Sequence, residues 1–148
     1  MMKRLIKLTI FTALLSYAPG AIAQEWTEVT VNAVGDRFLV DQASIQPQAN
    51  SVRYWEYRDF RQPNNAFVEE EIDEPVYGVM LYQSVDCTAN VARLRQMVVH
   101  GRDRQELRRL NYGNNGSLAQ PADGSSASAV LRYVCTQEEN STTNEPQG

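Results

Sequence analysis

The two cysteines are the residues with the clearest chemistry in this chain of 148 residues. Cys87 follows the most apolar stretch, and Cys135 ends the last one. In an oxidising compartment two such thiols pair. A bridge would close a loop of about 48 residues and contribute on the order of 4 kcal/mol in the chain-entropy model. The alternative is two separate buried thiols, and with one distant histidine the pair offers too few ligands for structural zinc. The sequence therefore favours a disulfide.

Other reactive side chains do not form a catalytic grouping. His100 is the only histidine, and neither a second histidine nor a partnered nucleophile lies near it in sequence. Glu56 and Asp59 could serve as paired carboxylates in hydrolysis, but residues three apart on a strand point to opposite faces. We therefore predict no catalytic residues, no enzymatic activity and no cofactor.

An acidic segment, Glu69 to Glu74, interrupts its run of acids only at Ile72. It belongs to a long connection over residues 61–75. Three interpretations are open: a solvated mobile loop, a calcium site and a partner-binding loop. The spacing differs from that of an EF-hand loop, and no glycine provides its sharp turn. We favour the solvated loop and predict no metal site.

The N-terminus has the pattern of a secretory signal peptide. Basic residues come first, an apolar run covers residues 8–17, and the small residues Ala21 and Ala23 precede Gln24. We predict a signal peptide over residues 1–23, with cleavage between Ala23 and Gln24. The apolar run is short for a bilayer span, so a retained N-terminal anchor helix is the weaker alternative. The expected protein is exported, either periplasmic or secreted to the cell surface, without stable membrane insertion.

The charge of the mature chain narrows the partner classes. The whole chain has a formal charge of −4, and residues 1–23 hold three basic groups and no acid, so cleavage leaves about −7. Both lysines, Lys3 and Lys7, are removed, and every remaining cation is an arginine. A net acidic domain does not favour nucleic acid or an anionic membrane as partner.

Alternating apolar residues and turn signals predict an α+β fold over residues 24–136. We expect an antiparallel sheet of about five to six strands and a C-terminal helix tied to it by one disulfide. The run that ends at Cys135 could instead form a strand. The polar tail over residues 137–148 is expected to be disordered. The predicted strands are Glu25 to Val31, Arg37 to Asp41, Ser51 to Phe60, Val76 to Cys87, Val91 to His100 and Gln105 to Tyr112.

Side-chain alternation assigns faces to these strands. In the first strand Trp26, Val29 and Val31 can pack only with one irregular step. In the Val91 to His100 strand, Leu94 and Val98 oppose Arg93, Arg95 and Met97, which predicts one wet face.

The strand from Ser51 to Phe60 carries aromatic residues on both faces. Trp55 and Tyr57 lie on the face opposite Val52 and Tyr54. Packing in the core is one interpretation. The other is that Trp55 and Tyr57 contact a partner, since exposed aromatic pairs are frequent interface anchors.

A spaced set of residues runs through the predicted strands and helix: Trp26, Asp41, Ser44, Ile45, Trp55, Ser84, Asp86, Cys87, Arg93, Arg95, Val134 and Cys135. This set resembles the surface-adhesin protein E-like family of exported bacterial proteins. The resemblance covers residues 25–136 and implies an antiparallel sheet of about six strands with a disulfide-tied C-terminal helix. The founding member engages host extracellular-matrix and serum proteins, but the resemblance carries over no binding residue.

Two functional hypotheses follow. The first is an exported, non-enzymatic binding domain that contacts an extracellular or envelope protein or polymer. The second is a structural or interaction module of the periplasm that forms a homodimer through an open sheet edge and has no adhesive role.

Overall fold

The computed structural model describes residues 24–143, with side chains described as far as Gln137. The signal peptide predicted over residues 1–23, and with it the cleavage site, lies outside the described residues. The elements are strands β1 Trp26–Val31, β2 Arg37–Asp41, β3 Gln46–Gln48, β4 Ser51–Asp59, β5 Gly78–Asp86, β6 Val91–His100, β7 Glu106–Asn111 and β8 Leu118–Ala119, and helix α1 Ser126–Thr143.

All the strands join one antiparallel sheet in the order β1-β2-β4-β5-β6-β7, with β3 beside β4 and β8 beside β6. The predicted α+β architecture is confirmed, and the six longer strands match the six expected ones. The short strands β3 and β8 were not predicted. Helix α1 continues to Thr143, through the start of the segment that we expected to be a disordered tail. Residues 144–148 lie outside the described residues.

The disulfide between Cys87 and Cys135 is present, with 5.8 Å between the two Cα atoms. It joins the residue after β5 to the helix, so the last apolar segment is helical rather than a strand. The bridge crosses a sequence separation of 48 residues. It therefore fixes the helix over the sheet at one point, and side-chain packing fixes the rest.

Helix α1 and the connection over residues 61–75 cover the same side of the sheet, which we call the inner face. The helix packs its buried side chains Val130, Leu131 and Val134 on one cluster of strand residues. The connection packs Phe67, Val68 and Ile72 on a second cluster. The acids from Glu69 to Glu74 are exposed except for the half-buried Glu70, as expected for a solvated segment. The apolar residues of the connection complete the core, which was not predicted.

A charged layer lies within the inner face. Glu56 is 1 % exposed. Its carboxylate accepts hydrogen bonds from Arg58 Nε at 2.6 Å, Gln83 Nε2 at 2.9 Å and the Tyr54 hydroxyl at 3.3 Å. The Arg58 guanidinium also lies over the ring of Phe38, 5.2 Å from its centroid. Three donors, one of them the Arg58 cation, compensate this buried carboxylate for the loss of water.

Two β-bulges decide which side chains reach which face. The β1–β2 register shifts between Glu28 and Thr30, which is the irregular step expected in the first strand. Val29 therefore packs on the inner-face cluster that helix α1 covers. Trp26 instead contacts Tyr57 on the other face. Val31 is 48 % exposed, so the expectation that it packs is wrong.

The second bulge corrects the faces assigned to β6. Tyr82 is opposite Gln96 and Gln83 is opposite Leu94, so Arg95 is the extra residue. The alternation therefore reverses after Arg95, since a bulge places two residues opposite one. Met97 joins Leu94 on the inner face. The prediction that Leu94 and Val98 share a face, with Met97 opposite, is wrong for this reason.

Candidate binding face of the sheet

The side of the sheet opposite helix α1, here called the outer face, presents its residues in rows across the central strands. Trp55, Tyr82 and Gln96 form one row, and Arg53, Ser84 and Arg93 form the next. Among the described residues, the helix and the connection both pack on the inner face, and only short loops meet the rim of the outer face.

Trp55 and Tyr82 form a half-buried pair in the middle of the sheet, which we call the aromatic pair. Their ring centroids are 4.9 Å apart and the ring planes are inclined by 30°. An open groove of about 200 Å³ lies beside the pair and is also lined by Asp41, Ser44 and Gln46. Pairs of this kind offer a large apolar surface at low conformational cost.

The turn after β2 holds Trp55 in place. Asp41 caps this turn by accepting a hydrogen bond from the Ala43 backbone N–H. The Ser44 hydroxyl donates to the Asp41 carbonyl at 2.7 Å and accepts from the Trp55 backbone N–H at 2.8 Å. Trp55 lies on β4 between the part paired with β2 and the part paired with β3. Ser44 thus accepts the backbone hydrogen bond that a neighbouring strand would accept elsewhere in the sheet. These contacts join Asp41, Ser44 and Trp55, which are three of the residues that carry the family resemblance.

Tyr57 lies further along the same face but is only 3 % exposed. Its ring packs edge-on against Trp26 at 5.8 Å and stacks on His100 at 5.6 Å. The Arg104 guanidinium covers it at 4.6 Å. Burial raises the pKa of Tyr57, and the nearby charge of Arg104 partly opposes this change. The structure therefore brings Trp55 and Tyr57 to one face but leaves only Trp55 accessible.

His100 packs against Tyr57 as part of the fold. Its Nδ1 lies 3.2 Å from the Tyr57 hydroxyl. Burial lowers the pKa of His100, while the charge of Glu106 acts in the opposite direction. The neutral imidazole is therefore favoured, as expected for a ring stacked within an aromatic cluster.

Three arginines, here called the arginine cluster, surround Ser84. Arg53 and Arg93 lie on either side of Ser84 in its row. Arg95 donates from Nε to the Ser84 hydroxyl at 2.8 Å. No salt bridge within residues 24–137 involves any of these three guanidinium groups. The cluster is therefore a local concentration of positive charge on an acidic protein.

The loop after β7 positions two members of this cluster. Arg93 Nη1 donates to the carbonyls of Asn114 and Gly116, both at 2.9 Å. Arg95 Nη1 donates to Asn114 Oδ1 at 2.8 Å. Burial lowers the pKa of Arg95, and the charges of Arg53 and Arg93 lower it further. Like charges are thus held together by neutral oxygens.

The acidic residues considered in the sequence do not form a site with one another. Glu56 is buried on the inner face, whereas Asp59 pairs with Arg37 on the outer face at 3.4 Å. They lie on opposite faces, as predicted. Within the part of the chain that the structure describes, no group of three His, Cys, Asp or Glu residues could hold a metal ion.

The sequence pattern missed two contributors to the outer face. Tyr82 was not identified because its place beside Trp55 depends on the register between β4 and β5. The grouping of Arg53 with Arg93 depends on two such registers. Since pairing register is a property of the folded sheet, alternation within one strand could not reveal either contact.

Comparison with known proteins identifies the family. The family model for surface-adhesin protein E matches residues 26–136. The chain belongs to the surface-adhesin protein E family. The match covers the complete sheet and the helix as far as the residue after Cys135. Members of a surface-adhesin family are exported or surface proteins, which agrees with the expected localisation.

Solved structures of Haemophilus influenzae protein E share this fold. Crystal form II is 10 % identical and has a TM-score of 0.55, with 80 % of this chain and 93 % of that chain covered. Protein E from non-typeable Haemophilus influenzae is 11 % identical and has a TM-score of 0.53, with 83 % and 84 % covered. At such low identity the likeness shows the fold alone. Among curated proteins, no sequence matches this chain.

The structure also bears on membrane association. Over the described residues, none of the helical segments combines the length and the apolar character that crossing a bilayer requires.

Proposed function

We propose that this protein is an exported, non-enzymatic binding protein whose outer face contacts an extracellular or envelope protein or polymer. The observation that carries the proposal is the aromatic pair, Trp55 and Tyr82, which is half-buried at the centre of the face away from the helix. Membership of a surface-adhesin family supports adhesion as the general role.

Within the proposal, Trp55 and Tyr57 have different roles. Trp55 makes direct contact with the partner, since its ring is accessible and adjoins an open groove. Tyr57 is buried, so it supports the face from beneath by packing between Trp26 and His100. Interface energy concentrates in a few aromatic anchors surrounded by such supporting contacts.

Affinity capture tests this function. The oxidised protein, residues 24–148, is immobilised and exposed to envelope extract and culture medium of the source organism. We expect retained material to be lost with Trp55→Ala. Tyr112→Ala is the matched control, because Tyr112 is a half-buried aromatic residue that packs on the inner-face cluster covered by the connection. Equal capture by Trp55→Ala and wild type would remove the contact role of the aromatic pair.

A second candidate function rests on the open edge at β1. Within residues 24–143, this strand has a neighbour, β2, on one side only. Val31 and Val34, at the end of β1 and in the turn after it, are 48 % and 68 % exposed. A periplasmic structural module could pair two copies through this edge. Sedimentation velocity at high micromolar concentration is the test: a dimer abolished by Val31→Lys supports the module, and a monomer contradicts it.

A further inference from the structure

The arginine cluster carries positive charge that no carboxylate of residues 24–137 neutralises. Arg53, Arg93 and Arg95 meet at Ser84 without a carboxylate partner in the described residues. Arg53 Nε is buried and has no hydrogen-bond partner within the described part of the chain. Buried donors of this kind are uncommon in folded proteins and call for a physical reason. An oxyanion bound between the guanidinium groups would satisfy this donor and relieve the repulsion between the three charges.

We propose that the cluster binds the carboxylate groups of an acidic polysaccharide, with the adjoining sugar ring against the aromatic pair. This inference rests on the proposed function and specifies the partner of the same face. Guanidinium groups match a carboxylate through paired N–H donors, and all positive charge in the mature chain is provided by arginine.

The aromatic pair lies at the right place for the sugar. Trp55 and Arg53 are two positions apart on β4, and Tyr82 and Ser84 are two positions apart on β5. Two strand residues span roughly 6.7 Å. A polymer that lies across both rows can therefore place a carboxylate at Ser84 and the apolar face of a neighbouring ring over Trp55 and Tyr82.

The position of the cluster argues against an acidic peptide. Arg53, Ser84 and Arg93 lie on β4, β5 and β6, which are interior strands of the sheet. Their backbone groups pair with neighbouring strands, so a peptide lying across the face gains no main-chain ladder of the kind that edge-strand recognition uses. Recognition here is by side chains, which suits a polysaccharide.

The charge of the whole domain argues against nucleic acid. Nucleic acids carry closely spaced phosphates, and proteins bind them by displacing counterions with many cations. Here three arginines form the cluster, while the mature chain is net acidic. A polyuronate, with one carboxylate on each sugar, places fewer charges near the acidic remainder of the surface.

Binding to polygalacturonate tests the inference. The oxidised protein, residues 24–148, is titrated with polygalacturonate and with its methyl ester, which has the same backbone without the charge. We expect the ester to bind at least tenfold more weakly, and the affinity for the acid form to fall as NaCl rises. We expect Arg53→Gln to weaken binding of the acid form about tenfold.

Matched variants keep this result interpretable. Arg132→Gln removes the same charge from the exposed side of helix α1 and should change the affinity less than twofold. Arg53→Lys retains the charge without the fork and should give an intermediate affinity. It also provides a folded alternative if thermal denaturation shows that Arg53→Gln has lost structure.

Several outcomes would overturn the inference. Equal binding of the ester, or equal weakening by Arg53→Gln and Arg132→Gln, excludes a carboxylate site at Ser84. Tighter binding of polyglutamate or single-stranded DNA than of polygalacturonate excludes the polysaccharide as the preferred class. Absence of polygalacturonate binding rejects the inference, whereas capture of a partner that depends on Trp55 would still support the proposed function.

Discussion

Two arginine sites on opposite faces of the sheet differ in how their charge is compensated. On the inner face, Arg58 pairs with the buried carboxylate of Glu56 at 2.6 Å and lies over the Phe38 ring. On the outer face, Arg53 and Arg95 share one site with no acid in contact among the described residues. The helix and the connection enclose the first face, and only loops bound the second.

This difference distinguishes a structural charge from one available for binding. Within the protein, an ionised group must be neutralised because water cannot reach it. On the outer face, solvent screens the accessible part of the unneutralised cluster, and a bound anion can replace that solvent. Substitutions at the enclosed Glu56–Arg58 pair should therefore change stability, and substitutions in the arginine cluster should mainly change binding.

Loss of the buried carboxylate should have the largest effect. Glu56→Ala leaves Arg58 without its partner and leaves the Gln83 amide without an acceptor. We expect the free energy of unfolding to fall by about 3–5 kcal/mol, as for other broken buried pairs. Urea denaturation of the oxidised protein measures the change.

The exposed pair between Glu28 and Arg37 provides the control. The Arg37 Nε to Glu28 Oε1 distance is 2.5 Å, but both side chains are more than two-fifths exposed, at 47 % and 44 %. Glu28→Ala should therefore cost less than about 1 kcal/mol. Equal losses for Glu28→Ala and Glu56→Ala would show that burial does not distinguish the two pairs.

Elements set by local chemistry could be predicted from the sequence. The first two strands with their irregular step depend on neighbouring residues, and the bridge from Cys87 to Cys135 depends on cysteine number. Side-chain alternation is sufficient for the strands, because their geometry is determined within a few residues. The bridge could be predicted because the chain has only two cysteines.

Elements that depend on register or on competing local signals could not be predicted. The bulge at Arg95 reverses the faces of β6, although no glycine or proline marks it. The packing of the connection on the core could not be predicted, because its apolar residues, including Ile72, are scattered among charged residues. Glu56 is buried because Arg58, Gln83 and Tyr54 converge on it, and Gln83 comes from another strand. These features arise from tertiary contacts rather than local preference.

A smaller effect on stability is expected at Gly78, which lies beneath Tyr57 on the outer face. A Cβ atom at this position would be 2.3 Å from the Tyr57 hydroxyl oxygen. Tyr57 is held by Trp26 and His100, so it cannot move without disturbing them. We expect Gly78→Ala to destabilise the protein by about 1–3 kcal/mol, as overpacking does elsewhere.

Tyr57→Phe in the Gly78→Ala background provides the check on mechanism. It removes the closest atom and should recover part of the lost stability, measured by thermal denaturation. Near-ultraviolet circular dichroism should also show the altered aromatic packing in Gly78→Ala. If Gly78→Ala were as stable as wild type, Tyr57 would have room to move and could not serve as a rigid support for the face.

The smallest effect concerns pH and His100. Burial lowers the pKa of His100 in the folded protein below the value of 6.5 that an exposed histidine has. The unfolded state therefore takes up the proton first as pH falls. The stability associated with neutral His100 is present above about pH 6.5 and is lost as pH falls from there through the lower folded pKa.

The charges around His100 allow this prediction to be refined. Tyr57 stacks on the ring, Arg104 and Arg109 lower its pKa, and Glu106 raises it. We expect Tm to fall less between pH 7 and pH 5 in His100→Gln than in wild type. Glu106→Gln should steepen the fall, because it removes the charge that favours protonated His100. Identical pH slopes in wild type and His100→Gln would mean that this histidine titrates alike when folded and unfolded, so that the stacked aromatic cluster does not exclude the charged ring.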